Sequence, residues 1–580
     1  MKPIRPISAV VTVLLLSSAA LAAGVRPEHA SKAMVVSVHE LASRAGVEMM
    51  QAGGNAVDAA VATGFALAVV HPVAGNIGGG GFLLMRMANG EARFLDFREK
   101  APARATANMY LDAEGNVIKD ASTVGYKASG VPGSVAGLAY AQKKWGKLPL
   151  ARVMQPAIRL AREGYALSYN DASSFRNRRL TEFPESKRIF QREGNYYQQG
   201  DIFRQPELAK TLERIAANPD EFYHGALAKE IAAAVQQGGG LITTEDLAAY
   251  EVKERSPVRG TYRGLEIIGA PPPSSGGVAL IEALNILEGY DLRAMGAGSA
   301  DAIHVTTEAM RRAFFDRSEF MGDPDFAKVP VASLVDKKYG AAWRDSIAPQ
   351  RATLSAGLRR PEAFHDLDRV ASFAAAGAEP SETTHYSVVD EDGNAVAVTT
   401  TLNSGFGSKV TLPGLGFLMN DEMDDFATKP GVPNSYGLIQ GPANAIGPGK
   451  RPLSAMTPTI VLKDGKLFLV LGSPGGPRII STVLNILTGV VDHGLNIQEA
   501  VNAPRFHHQY LPDLLYMERT GFSPDTQRIL EQRGHHIVTV EKDSPSGRWS
   551  DGECIMIDPK NGERLGASDP RNDTGKAVGY

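Results

Sequence analysis

The chain has 580 residues and a single cysteine, Cys554, so no intramolecular disulfide can form and the fold must be held by packing and hydrogen bonds. Cys554 lies in Glu-Cys-Ile-Met-Ile-Asp (553–558), which reads as a strand, where a thiol is expected to be buried and inert. Charge of one sign is also scarce. The formal net charge is −3 and the isoelectric point is near 6.5, without long blocks of like charge. That excludes the basic footprint of a nucleic-acid binder. Long apolar runs are missing too. The N-terminal run Ala9 to Leu16 is too short for a comfortable membrane span. Lys2 and Arg5 precede it and Ala20-Leu21-Ala22 follows, the layout of an export signal with an A-x-A cleavage site. The expectation is a signal peptide over residues 1–22, with no lipid-anchoring cysteine after it, and a periplasmic or secreted bacterial protein. Gly78–Gly81 lacks the Gly-Lys-Ser/Thr of a phosphate loop and reads as a tight loop. His507-His508 has no third ligand at helical spacing, so no metal or cofactor is expected.

Ordinary globular material makes up the rest, with 43% apolar and 22% charged residues. Helical patterns run over Glu40–Gln51, Ala56–Val70, Ala151–Glu163, Glu207–Ala217, Val278–Glu288, Asp301–Phe315 and Arg478–Val491. Four hairpins are marked by turn residues: 82–97 by Asn89-Gly90, 384–402 by Asp392-Gly393-Asn394, 459–471 by Asp464-Gly465 and 554–567 by Asn561-Gly562. Asp390–Asn394, superficially a calcium loop, is explained by its turn. Residues 350–382, with Ala-Ala-Ala-Gly-Ala-Glu-Pro-Ser-Glu, show weak periodicity and read as an exposed loop. Strands and helices occur on both sides of that loop, and neither side alone supplies a full sheet. The expected architecture is an α/β fold, one interlaced globule of helix, sheet, sheet and helix layers.

The chemistry gathers around Thr383-Thr384-His385-Tyr386, directly after the loop. A threonine hydroxyl is a weak nucleophile without a base. Cutting the bond before Thr383 would free an α-amine on the same residue to serve as that base. Further motifs follow: Thr401-Leu402-Asn403, which the hairpin returns toward Thr383; Asn420 to Phe426, rich in acids; Arg451 to Met456; Gly472-Ser473-Pro474-Gly475-Gly476; and, earlier, Phe94 to Glu99 with Arg98. Together with Gly53–Ala60 and Gly566–Arg571, this ordered set resembles the γ-glutamyltranspeptidases of the N-terminal-nucleophile hydrolase superfamily.

The resemblance implies a four-layer αββα sandwich made as a proenzyme. Cleavage after Glu382 would yield a large subunit, 23–382, and a small one, 383–580, which stay together as a heterodimer. Thr383 would be the processing residue and the nucleophile, and Thr401 would help activate it. Backbone N–H groups of Gly475 and Gly476 would hold the oxyanion, where a donor is worth about 3–4 kcal/mol. Arg98 and Ser454 would take the substrate α-carboxylate, Asn403, Glu422 and Asp425 its α-ammonium, and Tyr436 would belong to a covering lid. Cation and acids are thus expected at opposite ends of a zwitterion. Asp424 is assigned a structural part. Substrates would be glutathione and other γ-glutamyl compounds, with water or an amino-acid or dipeptide amine as acceptor. One position departs from the family's usual serine pair: Ser454 is followed by Ala455. A missing hydrogen bond to a charged group costs roughly 1.5–3 kcal/mol unless another donor or a water replaces it. Glu422 stands where an amide also occurs in the family. The alternatives are a glutaryl or cephalosporin acylase, which would leave Glu422 and Asp425 facing nothing, and a non-catalytic periplasmic amino-acid-binding protein, to which Thr383 and the glycine pair would be superfluous.

Overall fold

The computed structural model describes residues 24–370, 382–429, 441–540 and 549–580. The signal-peptide segment and Tyr436 lie outside the described residues. Among the described residues, no helix is long and apolar enough to cross a membrane.

Two seven-stranded sheets, antiparallel throughout, form the middle of the molecule. The first runs in the order Lys576–Gly579, Met34–Ser37, Thr384–Val389, Ala395–Thr401, Gly80–Arg86, Ala92–Phe97, Lys253–Arg255. The second runs Glu28–Ala30, Arg564–Ser568, Glu553–Ile557, Lys466–Leu471, Thr459–Lys463, Leu265–Gly269, Val258–Tyr262. All four expected hairpins are present. Their turn glycines, Gly90, Gly393, Gly465 and Gly562, take φ of 91°, 84°, 74° and 78°, a region glycine enters without a Cβ penalty.

Thr384–Val389 and Ala395–Thr401 are buried at every position, so they read as continuous apolar or small-polar runs instead of alternating. On their outer face lies the helix Ala56–Val70, buried along its whole length, which its Ala/Val composition allows, and beside it Glu40–Gln51 covers Met34–Ser37 and Lys576–Gly579. Between the sheets, Met34, Val36, Phe82, Leu84 and Phe94 meet Ile268, Ile460, Val470 and Ile555. The helices Gly276–Leu287, Ala300–Phe320 and Arg478–Val491 cover the other face of the second sheet. The result is the expected αββα sandwich. It is interlaced: the ladder from Ala395↔Arg86 to Thr401↔Gly80, and the pairing of Thr384–Val389 with Met34–Ser37, join strands from opposite sides of Thr383.

Two sequence readings need correction. The helical pattern over 151–163 is two helices, Leu150–Val153 and Gln155–Glu163, with Pro156 in the first turn of the second; proline has no N–H to continue a helix but suits a helix start. Residues 350–370 are not a loose exposed loop. They form the 3-10 turns Ser355–Gly357 and Glu362–Val370, and the buried Arg360 ion-pairs with Asp316 and, at 2.6 Å, with Glu319. Residues 371–381 lie outside the described part. Cys554 is fully buried, and burial pushes its thiol up to about 12. Asp390 accepts the Asn394 N–H at 2.9 Å, closing the 384–402 turn.

Candidate active site

Thr383 precedes the strand Thr384–Val389, and the hairpin returns Thr401 beside it. The two hydroxyl oxygens, Thr383 Oγ1 and Thr401 Oγ1, are 3.2 Å apart. Thr401 Oγ1 also donates to the Glu382 carbonyl at 3.2 Å and accepts the Asn403 N–H at 2.8 Å. A hydroxyl has one hydrogen. Since Thr401 spends it on Glu382, Thr383 is the donor between the two threonines, and its proton points away from the peptide bond that precedes it. Asn76, which sequence reading passed over, fixes the Thr401 backbone by donating to its carbonyl at 2.9 Å. Gly79 packs so closely on the same carbonyl that a Cβ there would collide with it, which explains the glycine run. Asn403 holds a positive φ of 78° and donates through its amide to the Asp421 carbonyl at 3.0 Å.

Gly472 to Gly476 connect the strand Lys466–Leu471 to the helix Arg478–Val491. Gly475 and Gly476 have φ of 121° and 54°, and a Cβ on Gly475 would strike Ser550 Oγ. Gly476 lines one cavity with Thr383, Thr401, Arg98 and Ser454.

Arg98 ends the strand Ala92–Phe97 and is fully buried. Here the structure departs from the sequence expectation. Its guanidinium is ion-paired to both Glu422 and Asp425, with Glu99 at 3.6 Å, so cation and acids touch. It also donates to the Leu453 carbonyl at 3.2 Å. These side chains fill the cavity, leaving a volume of about 20 Å³, little more than one water's worth. Burial alone would lower the Arg98 pKa, but Glu422, Asp425 and Glu99 outweigh it and raise it. Burial lifts Glu422 well above the usual carboxylate range, Arg98 opposes this, and Glu99 and Asp425 reinforce it. Glu99 is pushed up to about 7, again chiefly by burial and against the pull of Arg98. Glu99 and Glu422, both buried beside one cation, are thus both raised, chiefly by burial.

Ser454 Oγ accepts the Met456 N–H at 3.1 Å and keeps its own hydrogen to give. The Ser454 backbone is held by the loop before Gly276–Leu287: its N–H donates to the Pro273 carbonyl at 2.9 Å, and Ser275 donates to its carbonyl from both N and Oγ at 2.8 Å. Asp424 accepts from Ser122 at 2.6 Å, in keeping with its structural assignment. Asp421, beneath Asn403, is driven by burial up to about 7. Glu99 and Asp421 lie inside motifs the sequence marks, but without a role of their own there, and neither Asn76 nor the Ser275 loop is marked as part of the site. Only the fold brings them here.

A family model described as gamma-glutamyltranspeptidase matches residues 42–579. The chain is 50% identical over 558 residues to the glutathione hydrolase proenzyme of Escherichia coli K12, covering 96% of this chain and 93% of that protein. It is 40% identical to an acylase proenzyme, ACY 1, of Pseudomonas sp. SE83, with 88% of each covered. Among solved structures, cephalosporin acylase from Bacillus halodurans superposes with a TM-score of 0.81 at 29% identity, over 96% of this chain and 97% of that one. The Helicobacter pylori γ-glutamyltranspeptidase gives a TM-score of 0.56 at 49% identity, over 57% of this chain and 95% of the matched chain. The sandwich is therefore of the N-terminal-nucleophile hydrolase type, and the chain belongs to the γ-glutamyltranspeptidase family.

Proposed function

We propose that the chain is a glutathione hydrolase proenzyme that cuts itself between Glu382 and Thr383 and then releases γ-glutamyl groups to water or to an amine acceptor. The observation that carries this is the Thr383–Thr401–Glu382 hydrogen-bond chain opening on a cavity lined by Arg98, Glu422 and Asp425. In the uncut chain, Thr383 Oγ attacks the Glu382 carbonyl carbon as Thr401 takes up its proton and donates to the carbonyl oxygen. Thr401 passes that proton to the Thr383 nitrogen as the C–N bond breaks, an ester forms on Thr383, and water hydrolyses it to the Glu382 carboxylate and a free Thr383 amine. That amine then takes the Thr383 hydroxyl proton as the oxygen attacks a γ-glutamyl carbonyl, and returns it to the leaving amine. Gly475 and Gly476 N–H groups stabilise the oxyanion. Water or an acceptor amine resolves the γ-glutamyl ester.

The α-ammonium pairs with Glu422, Asp425 and Asn403, and the α-carboxylate with Arg98 and Ser454. Because Arg98 already pairs with the acids, the zwitterion inserts between them and exchanges one set of ion pairs for another. The large chain 23–382 and the small chain 383–580 remain one interlaced body, through ladders such as Ala395–Thr401 on Gly80–Arg86. Residues 1–22 direct export to a bacterial periplasm.

The acylase reading finds support in its relatives, but a glutaryl group has no ammonium to meet Glu422 and Asp425. Purified enzyme offered γ-glutamyl and glutaryl anilides, with and without a dipeptide acceptor, separates the two. Turnover of the γ-glutamyl anilide at least about 100-fold faster, accelerated by the acceptor, is expected. A preference for the glutaryl compound would contradict it.

A further inference from the structure

Ala455 lacks the hydroxyl that would supply a second carboxylate donor, and Arg98 is already engaged by two acids. A second buried guanidinium lines the same cavity. Arg317, on the helix Ala300–Phe320, is 2% exposed and shares the cavity with Thr383, Ser454 and Ala455. We propose that Arg317 is a substrate-recognition residue of this site, a second cation for the γ-glutamyl α-carboxylate that stands in where Ala455 has no hydroxyl. This rests on the γ-glutamyl reading above.

The position of Arg317 is built in. Its Nε donates to Ser275 Oγ at 2.9 Å, and Ser275 Oγ donates onward to the Ser454 carbonyl at 2.8 Å. That relay ties the guanidinium to the backbone of the residue expected to hold the carboxylate. With Nε fixed, the plane of the fork and the direction of its terminal nitrogens are set before substrate arrives, so little freedom is lost on binding. An incoming carboxylate that met only Arg98 would compete with Glu422 and Asp425 for it. A second guanidinium beside Ala455 adds a further positive group for the anionic end of the zwitterion.

Variants of the processed enzyme test this, with cleavage into two chains as the control for folding. For Arg317→Gln, KM for a γ-glutamyl anilide and the calorimetric Kd for L-glutamate should both rise roughly 10- to 100-fold, with kcat changing less than about threefold. Arg317→Lys should fall between. Ala455→Ser should recover more affinity in the Arg317→Gln background than it adds to the parent, because the hydroxyl and the guanidinium serve one carboxylate. If Arg317→Gln is not processed, Ser275→Ala reads the same relay, with Kd rising about 3- to 10-fold. Unchanged Kd in Arg317→Gln, or in Ser275→Ala when it is the variant read, overturns the proposal, as does an Ala455→Ser gain equal in both backgrounds. A parent enzyme that neither turns over the anilide nor binds glutamate would instead overturn the γ-glutamyl reading itself.

Discussion

The two sides of Thr383 are made of opposite materials. Toward the cavity stand ionisable groups, Arg98 paired with Glu422 and Asp425. Beneath the nucleophile lies a neutral polar layer. His385 shares a strand face with Thr383, being two residues on. Its Nε2 is 3.2 Å from Ser387 Oγ and its Nδ1 is 2.8 Å from Thr399 Oγ1. Ser387 gives its proton to the Glu553 carbonyl at 2.7 Å, so it accepts from His385 Nε2–H, and Thr399 donates to Nδ1. Burial drives His385 down to about 3, so it stays uncharged. The difference teaches where charge is useful. On the substrate side, in the proposed reading, it recognises a zwitterion. Beside the α-amine proposed as the base, a cation would depress that amine's pKa and weaken it.

Breaking the charged side should have the largest effect. Arg98→Gln leaves the buried Glu422 and the half-buried Asp425 without their cation, an imbalance worth about 3–5 kcal/mol. KM for a γ-glutamyl anilide should rise at least about 100-fold and the melting temperature should fall. Adding Glu422→Gln should restore the melting temperature but not KM. Next comes the turn proposed to hold the oxyanion: Gly475→Ala, at φ 121° and against Ser550, should lower kcat roughly 100-fold with a smaller change in KM.

A subtler test titrates the boundary between the two sides. Asp421 has its pKa raised to about 7 in the folded protein from an ordinary 3.8. Between those values the folded state holds a proton that the unfolded state has lost, so stability is full below about pH 4 and declines as pH rises through 7. Asp421→Asn should remove that decline, a change of at most a few kcal/mol read from denaturation at pH 5 and pH 8. The smallest effect is expected on the neutral side. His385→Asn should leave the acidic limb of the kcat/KM profile where it is, because the imidazole does not titrate near the working pH. A displaced limb would show that the layer under Thr383 carries charge after all.

Much of this arrangement is legible in the sequence, for local reasons. The hairpins announce themselves through Asn89-Gly90, Asp464-Gly465 and Asn561-Gly562, whose backbone demands are met within two residues. The Thr383 hairpin needs only its own turn to return Thr401. What cannot be read is long-range. Arg98 and Glu422 are 324 positions apart, and nothing in either motif says that their side chains touch instead of facing each other across a substrate. Arg317 sits in an ordinary helical pattern, and its place in the cavity depends on how that helix packs over the Ser275 loop. The weakly periodic 350–370 stretch is pinned by Arg360, whose acids Asp316 and Glu319 come from another element.

The central claim is that Thr383 becomes an N-terminus and the nucleophile. Intact-mass analysis and N-terminal sequencing of the purified protein and of Thr383→Ala test it directly. The account expects two chains of roughly 39 and 21 kDa, the smaller beginning Thr-Thr-His-Tyr, and an uncut, inactive Thr383→Ala protein. A single uncut chain that turns over γ-glutamyl anilide at the full rate would contradict it.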